Sequence, residues 1–152
     1  MVGQSFRKSA ALESRWWVMA QKRNFQISTP RGTIYQTRSK DGMVKVHLDW
    51  EQGFGSRKSQ DFSKAQEFVD SECLRYCDPL IPRRTGYLIK SGQLGTVIGS
   101  GELNYLAPYA RRQYYENSSN QGGRGKLWFE RMKASKKETI RKGAAEFVAG
   151  NR

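Results

Sequence analysis

Histidine occurs once in this 152-residue chain, cysteine twice and proline four times, and acidic residues number 14 against 27 Lys and Arg. Each scarcity removes a class of function. With His47 alone, any Ser-His-Asp or Cys-His catalytic site must use that residue. No Gly-x-Ser-x-Gly elbow accompanies it. One histidine and two cysteines cannot assemble a Cys/His zinc set. Cys73 and Cys77 lie four apart on a predicted helix, where a disulfide would strain the backbone, so free, half-buried thiols of a reducing compartment are expected. No apolar run approaches the ~18 residues of a membrane span. Residues 1–20 carry basic side chains but no apolar stretch of the secretory type. The expectation is a protein made and assembled in cytoplasm, with no membrane partner.

Other catalytic and cofactor chemistry is also missing. Gly53-Phe54-Gly55-Ser56-Arg57-Lys58 is glycine-rich but lacks the spacing of a phosphate-cradling P-loop. Gly99-Ser100-Gly101 lacks the third glycine of a dinucleotide fingerprint. Asp49/Glu51 and Asp70/Glu72 are acidic pairs of the kind a metal-dependent nuclease uses, but no ligand cluster surrounds them and surface solvation accounts for them better. The residues make no case for an enzyme, a metal or a cofactor.

What the chain has is positive charge, unevenly spread. The formal net charge is +13. Residues 1–42 hold eight Lys/Arg and two acids, residues 43–80 five and seven, and residues 81–152 fourteen and five. Two basic blocks thus flank a near-neutral middle. Such a balance speaks to association with DNA or an acidic protein surface, or simply to a solvated exterior, and not to fold. The length fits one domain. Hydrophobic content of 37% and a mean hydropathy of -0.78 suit a small core carrying exposed arms, or a surface completed by partners.

Along the chain, residues 1–23 read as a basic N-terminal arm and residues 24–152 as a single domain. Trp16 and Trp17 in the arm are large apolar groups, each worth about 1.5–3 kcal/mol when buried. They should dock on the domain or on a neighbour. Asn24–Ser28 and Thr33–Arg38 are candidate strands around the turn Thr29-Pro30-Arg31-Gly32. After the turn signal Lys40-Asp41-Gly42, Met43–Trp50 alternates. Val44, Val46, Leu48 and Trp50 occupy one face and Lys45, His47 and Asp49 the other, as in a half-buried strand. Residues 52–60 read as a loop, and Asp61 as the N-cap of a helix over Phe62–Cys77 that ends before Pro79. Tyr87–Ser91 fits a short helix or strand, and Gly95–Ser100 a strand. Tyr105–Asn117 fits a helix with Pro108 in its first turn. Residues 117–126 are flexible by composition. Leu127–Ala149 is a long helix whose apolar stripe, Phe129, Met132, Ile140, Ala144 and Phe147, should bury on the sheet; Gly150 stops it. The fold class is α+β: a small antiparallel sheet packed by two or three helices, with the long C-terminal helix and the arm.

The distinctive feature is a crowd of aromatic and basic residues: Tyr105, Tyr109, Arg111, Arg112, Tyr114, Tyr115, Trp128 and Arg131. Tyr, Trp and Arg are the side chains enriched at interface hot spots, and they equally suit stacking and phosphate contact in nucleic-acid sites. Tyr109 and Trp128 are expected in the core. Trp16, Trp17, Arg83, Arg84, Tyr105, Arg111, Arg112 and Tyr115 are the candidate subunit or partner interface.

The order of residues from Pro79 to Lys133 also carries a resemblance. Pro82, then Thr85-Gly86 with Leu88 and Ser91, then Val97-Ile98, then Tyr109-Ala110 with Gln113-Tyr114, then Trp128-Phe129 with Arg131-Met132, resembles the minor capsid, neck and tail-completion proteins of tailed phages. It spans roughly the last two thirds of the chain; residues 1–23 match no shared motif. The resemblance implies a structural virion protein that forms a homo-oligomeric ring at the head–tail junction, six copies being favoured and twelve the alternative. It implies portal, adaptor or head-closure proteins and tail terminator or tube proteins as neighbours, and DNA passing through the lumen. The alternative is a non-enzymatic basic nucleic-acid-binding protein, for which no helix-turn-helix, zinc-finger or aromatic RNA-binding signature speaks.

Overall fold

The computed structural model describes residues 21–117 and 122–150; Trp16, Trp17 and nearly all of the arm lie outside them. The elements in order are strands β1 (Gly32–Ser39) and β2 (Gly42–Leu48) and helices α1 (Phe54–Cys77), α2 (Tyr87–Gly95), α3 (Ala110–Glu116) and α4 (Trp128–Ala149), with a single 3-10 turn, Asp78–Leu80, after α1. This is an α+β fold with a two-stranded antiparallel sheet and a long C-terminal helix.

The core lies between helices. Cys77 and Ile81 at the end of α1 meet Leu88 of α2, Ala107, Ala110 of α3, and Trp128, Met132 and Ile140 of α4. Helices α1 and α4 run antiparallel. The start of α4 meets the end of α1 in that core, while Phe147 near its end packs on Phe68 at 5.1 Å between ring centroids. Lys58 near the start of α1 donates to the Val148 carbonyl at 2.7 Å. Met132 and Ile140 are buried, as their stripe requires, but the surface they bury against is α1 and not the sheet. Lys136, which interrupts that stripe, is accommodated with its ammonium 5.4 Å from the Tyr76 ring centroid; a cation over an aromatic face is attracted by the ring quadrupole. Gly150 adopts φ 72° as the left-handed stop that glycine tolerates.

Helix α1 starts earlier than its expected cap. Gly53, at φ 77°, turns the chain into the helix, and Trp50 stacks on Phe54 at 5.0 Å while its indole donates to the Pro30 carbonyl at 2.9 Å. Asp61 therefore sits inside α1, 3.6 Å from Lys58. Residues 22–31 lie along α1 without forming the expected strand at Asn24–Ser28. They are tied by the Ile27 amide to Ser59 Oγ at 3.1 Å and by the Arg23 amide to the Gly99 carbonyl at 2.9 Å. A Cβ on Gly55 would lie 3.0 Å from the Ile27 carbonyl oxygen, so glycine permits this close approach.

The hairpin pairs Tyr35 with Val46, Thr37 with Val44 and Ser39 with Gly42, with a bulge between Thr33 and Tyr35. The alternation in β2 is real, but the apolar face is not half-buried: Tyr35, Val44 and Val46 are 56, 57 and 40% exposed. His47, opposite Thr33, is exposed, as its place on the polar face implies. Gly95–Ser100 is not a strand. Val97 and Ile98 are exposed in a turn, and Thr96 Oγ1 accepts from the Asn104 amide at 3.0 Å. Tyr87–Ser91 resolves as helix. The helix expected from Tyr105 begins at Ala110, because Pro108 lies in the turn ahead of it.

The α2 packing is tight at one point. A Cβ on Gly92 would sit 2.5 Å from Tyr105 Cε1. Gly92→Ala should cost about 1–3 kcal/mol through overpacking, despite the better helix propensity of alanine. Urea unfolding checks this, and an unchanged midpoint would mean that the Tyr105 ring moves aside freely.

Candidate interaction site

The end of the molecule formed by α2 and α3 collects most of the expected interface residues. The connector after the 3-10 turn carries Arg83 and Arg84, both exposed, into Thr85 and Gly86. Gly86 has φ 81° and caps α2, and the Tyr87 amide reaches Thr85 Oγ1 at 3.4 Å. The rings of Tyr87 and Tyr109 lie 6.4 Å apart, tilted by 44°. A cleft of about 730 Å³ opens between the connector and α3, bordered by Arg83, Arg84, Tyr87, Tyr109 and Gln113, with no acidic residue in its lining.

A second, apolar groove of about 390 Å³ lies beside it. Leu103, Tyr114, Tyr115 and Phe129 line it and Arg111 borders it. Tyr115 is 62% exposed and stands edge-on to Tyr114 at 4.9 Å. Arg111 and Arg112 are both exposed, but Arg112 is held 3.3 Å from Glu116 one turn on. Exposed pairs of this kind contribute little, about 0.3–0.5 kcal/mol.

Two expectations change here. Tyr105 is half-buried: it packs on Gly92 and meets Trp128 edge-on at 5.6 Å, while part of it lines the apolar groove. Its hydroxyl is buried without a hydrogen-bond partner among the described residues. Desolvation by that burial pushes the phenol well above its usual range, with the nearby Cys77 adding to the effect. Tyr109, expected in the core, is instead 41% exposed on the cleft wall. Trp128 is core, 2% exposed.

The remaining charge explains which arginines build the fold. Arg57, Arg75 and Arg141 pair with Glu51, Glu72 and Glu138. Arg124 donates to the carbonyls of Asp78 and Ile81 at 2.9 and 2.8 Å, and Arg131 to that of Gly123 at 2.7 Å. Arg124 thereby pins the glycine-rich segment to the end of α1, together with the Gly125 amide on the Leu80 carbonyl at 2.9 Å. Arg83, Arg84 and Arg111 have no acceptor among the described residues.

Asp70 is the residue that sequence reasoning missed. It is 3% exposed, not solvated. One carboxylate oxygen accepts the amides of Gly99 and Gly101 at 2.8 and 3.0 Å, and the other accepts Gln66 Nε2 at 2.7 Å. The carboxylate thus ties the 99–101 turn to the middle of α1. The signal for it was the Gly-Ser-Gly turn, whose left-handed glycines at φ 92° and 73° aim successive amides at one acceptor.

Cys73 and Cys77 are free thiols. Burial raises both, Cys77 to about 12 with a further push from Cys73, so neither has the character of a reactive thiolate. No group of three or more His, Cys, Asp or Glu among the described residues is placed to hold a metal. No helix among them is long and apolar enough to cross a membrane. Compared with protein-family models, with curated proteins and with solved structures, the chain gives no match.

Proposed function

We propose that this chain is a structural, non-enzymatic subunit of the tailed-phage neck, forming a ring at the head–tail junction that joins or completes the tail on a DNA-filled capsid. The observation that carries the assembly part of the reading is the hairpin. A two-stranded ribbon in water is marginal on its own, and its outer edges invite pairing with another chain. Here Ile34, Tyr35, Met43, Val44 and Val46 are 40–62% exposed. Such a surface suits a subunit finished by its neighbours. The neck assignment rests on the ordered series from Pro82 to Met132. Five of its members, Leu88, Ser91, Ala110, Trp128 and Met132, are buried, while Val97, Ile98 and Tyr109 are exposed.

In this reading six copies, or twelve, close a cyclic head-to-tail interface. Portal, adaptor or head-closure proteins lie on one side and tail terminator or tube proteins on the other, DNA crosses the lumen, and assembly takes place in host cytoplasm before the ring resides in the virion. Gold-labelled antibody against the chain should decorate the head–tail junction of particles produced with it; label absent from particles would refute the reading. The second reading, a basic nucleic-acid-binding protein, is favoured by the +13 charge. It requires duplex affinity that falls log-linearly with salt.

A further inference from the structure

The cleft between the 82–86 connector and α3 is distinguished by what it lacks. Its lining offers the guanidinium groups of Arg83 and Arg84, the carboxamide of Gln113 and the tyrosine rings of Tyr87 and Tyr109, and no Asp or Glu. Arg57, Arg75, Arg112 and Arg141 are matched by carboxylates, and Arg124 and Arg131 by backbone carbonyls. Arg83 and Arg84 are matched by nothing among the described residues, although they are adjacent and border one concavity. A guanidinium presents a planar fork of donors that fits a carboxylate in bidentate fashion.

We propose that this cleft is the docking site for an acidic segment of a partner protein, whose carboxylates engage Arg83 and Arg84 while its backbone or side chains lie against Tyr87 and Tyr109. For the source of that segment, a neighbouring subunit, the proposal rests on the assembly reading above. Charge distribution favours a protein segment over nucleic acid. A nucleic-acid track needs a row of uncompensated cations to meet successive phosphates. Along α4, Lys136, Lys137 and Lys142 have no carboxylate partner among the described residues, but the row is interrupted where Lys133 and Arg141 are drawn toward Glu130 and Glu138. Arg83 and Arg84 are adjacent in the chain and border one concavity, which suits a short anchor. Aromatic and arginine side chains meeting at one concave place also have the composition of an interface hot spot.

The test is a titration of the full 15N-labelled chain followed by NMR, with hexaglutamate, hexaglutamine and a 12-nucleotide single strand as separate probes. Hexaglutamate should shift the side-chain Nε–H signals of Arg83 and Arg84 and the amides of residues 86–88 in a saturable way, and hexaglutamine should not. The variant R83A with R84A should weaken hexaglutamate binding at least tenfold, while K142A, on the exposed side of α4, leaves it unchanged. Equal response to both peptides, or equal loss in the two variants, overturns the proposal. So does a cleft that responds to the oligonucleotide and not to hexaglutamate, which would make it a nucleic-acid site. Because the readout is on the isolated chain, a negative result here leaves the ring itself to be judged by particle labelling, and the converse holds equally.

Discussion

Asp70→Ala should lower the stability of the fold by about 3–5 kcal/mol, and do so without touching any apolar contact of the core. The carboxylate accepts two backbone amides, that of buried Gly99 and that of part-buried Gly101, from a turn about thirty residues away in sequence. Hydrogen bonds to a charged group contribute about 1.5–3 kcal/mol each, and a buried donor left without a partner costs about 1–3 kcal/mol. Alanine leaves both amides orphaned. Asp70→Asn keeps one acceptor oxygen and should cost roughly half as much. Urea unfolding measures both, and hydrogen exchange at residues 99–101 should accelerate first. A midpoint for Asp70→Ala within about 0.5 kcal/mol of the parent, the range of ordinary surface substitutions, would show that the turn is held by something else.

The second large effect is expected at Trp128. The indole is 2% exposed and stands edge-on to two tyrosines, Tyr105 at 5.6 Å and Tyr114 at 4.7 Å. Truncation to alanine should cost about 3–5 kcal/mol for the lost burial and the cavity. Each aromatic pair lost adds about 0.5–1.5 kcal/mol. Since α4 begins at Trp128 and closes on the end of α1, the variant should lose the cooperative unfolding transition altogether, as followed by circular dichroism. Trp128→Phe, which keeps a ring in the same place, should retain cooperativity at reduced stability. If Trp128→Ala unfolded as sharply and at the same midpoint as the parent, the core would have to be centred elsewhere.

The elements with a strong local code were legible before the structure. Alternation marked β2, the Asp-Gly turn marked the hairpin, and the stripe through Met132 and Ile140 with a terminal glycine marked α4. The partner of α4 was not legible, because a stripe says that a face is buried and not what buries it. Alternation in β2 likewise implied a covered face, whereas Val44 and Val46 lie open; pattern records an apolar face, and its cover can come from outside the chain. The start of α1 was hidden by glycine. Gly53 and Gly55 read as loop residues, yet one supplies the left-handed cap and the other the room for residues 27–29. Asp70 was misread as solvated because, besides Gln66, its partners are the backbone amides of Gly99 and Gly101, which no side-chain pattern announces. At the candidate site, Arg83, Arg84, Arg111, Arg112 and Tyr115 are exposed as expected. Tyr109 lies on the cleft wall and not in the core, and Tyr105 both packs on Gly92 and lines the groove, since spacing alone does not say which ring faces Gly92.

The central claim is that this chain is a ring subunit, and native mass spectrometry of the purified full chain at low and high salt tests it most directly. The account predicts a single closed species of six copies, or of twelve, that persists at high salt, because apolar surface such as that of the hairpin is not screened by ions. A chain that stays monomeric at every concentration and salt, and whose only partner is DNA released by salt, would contradict it.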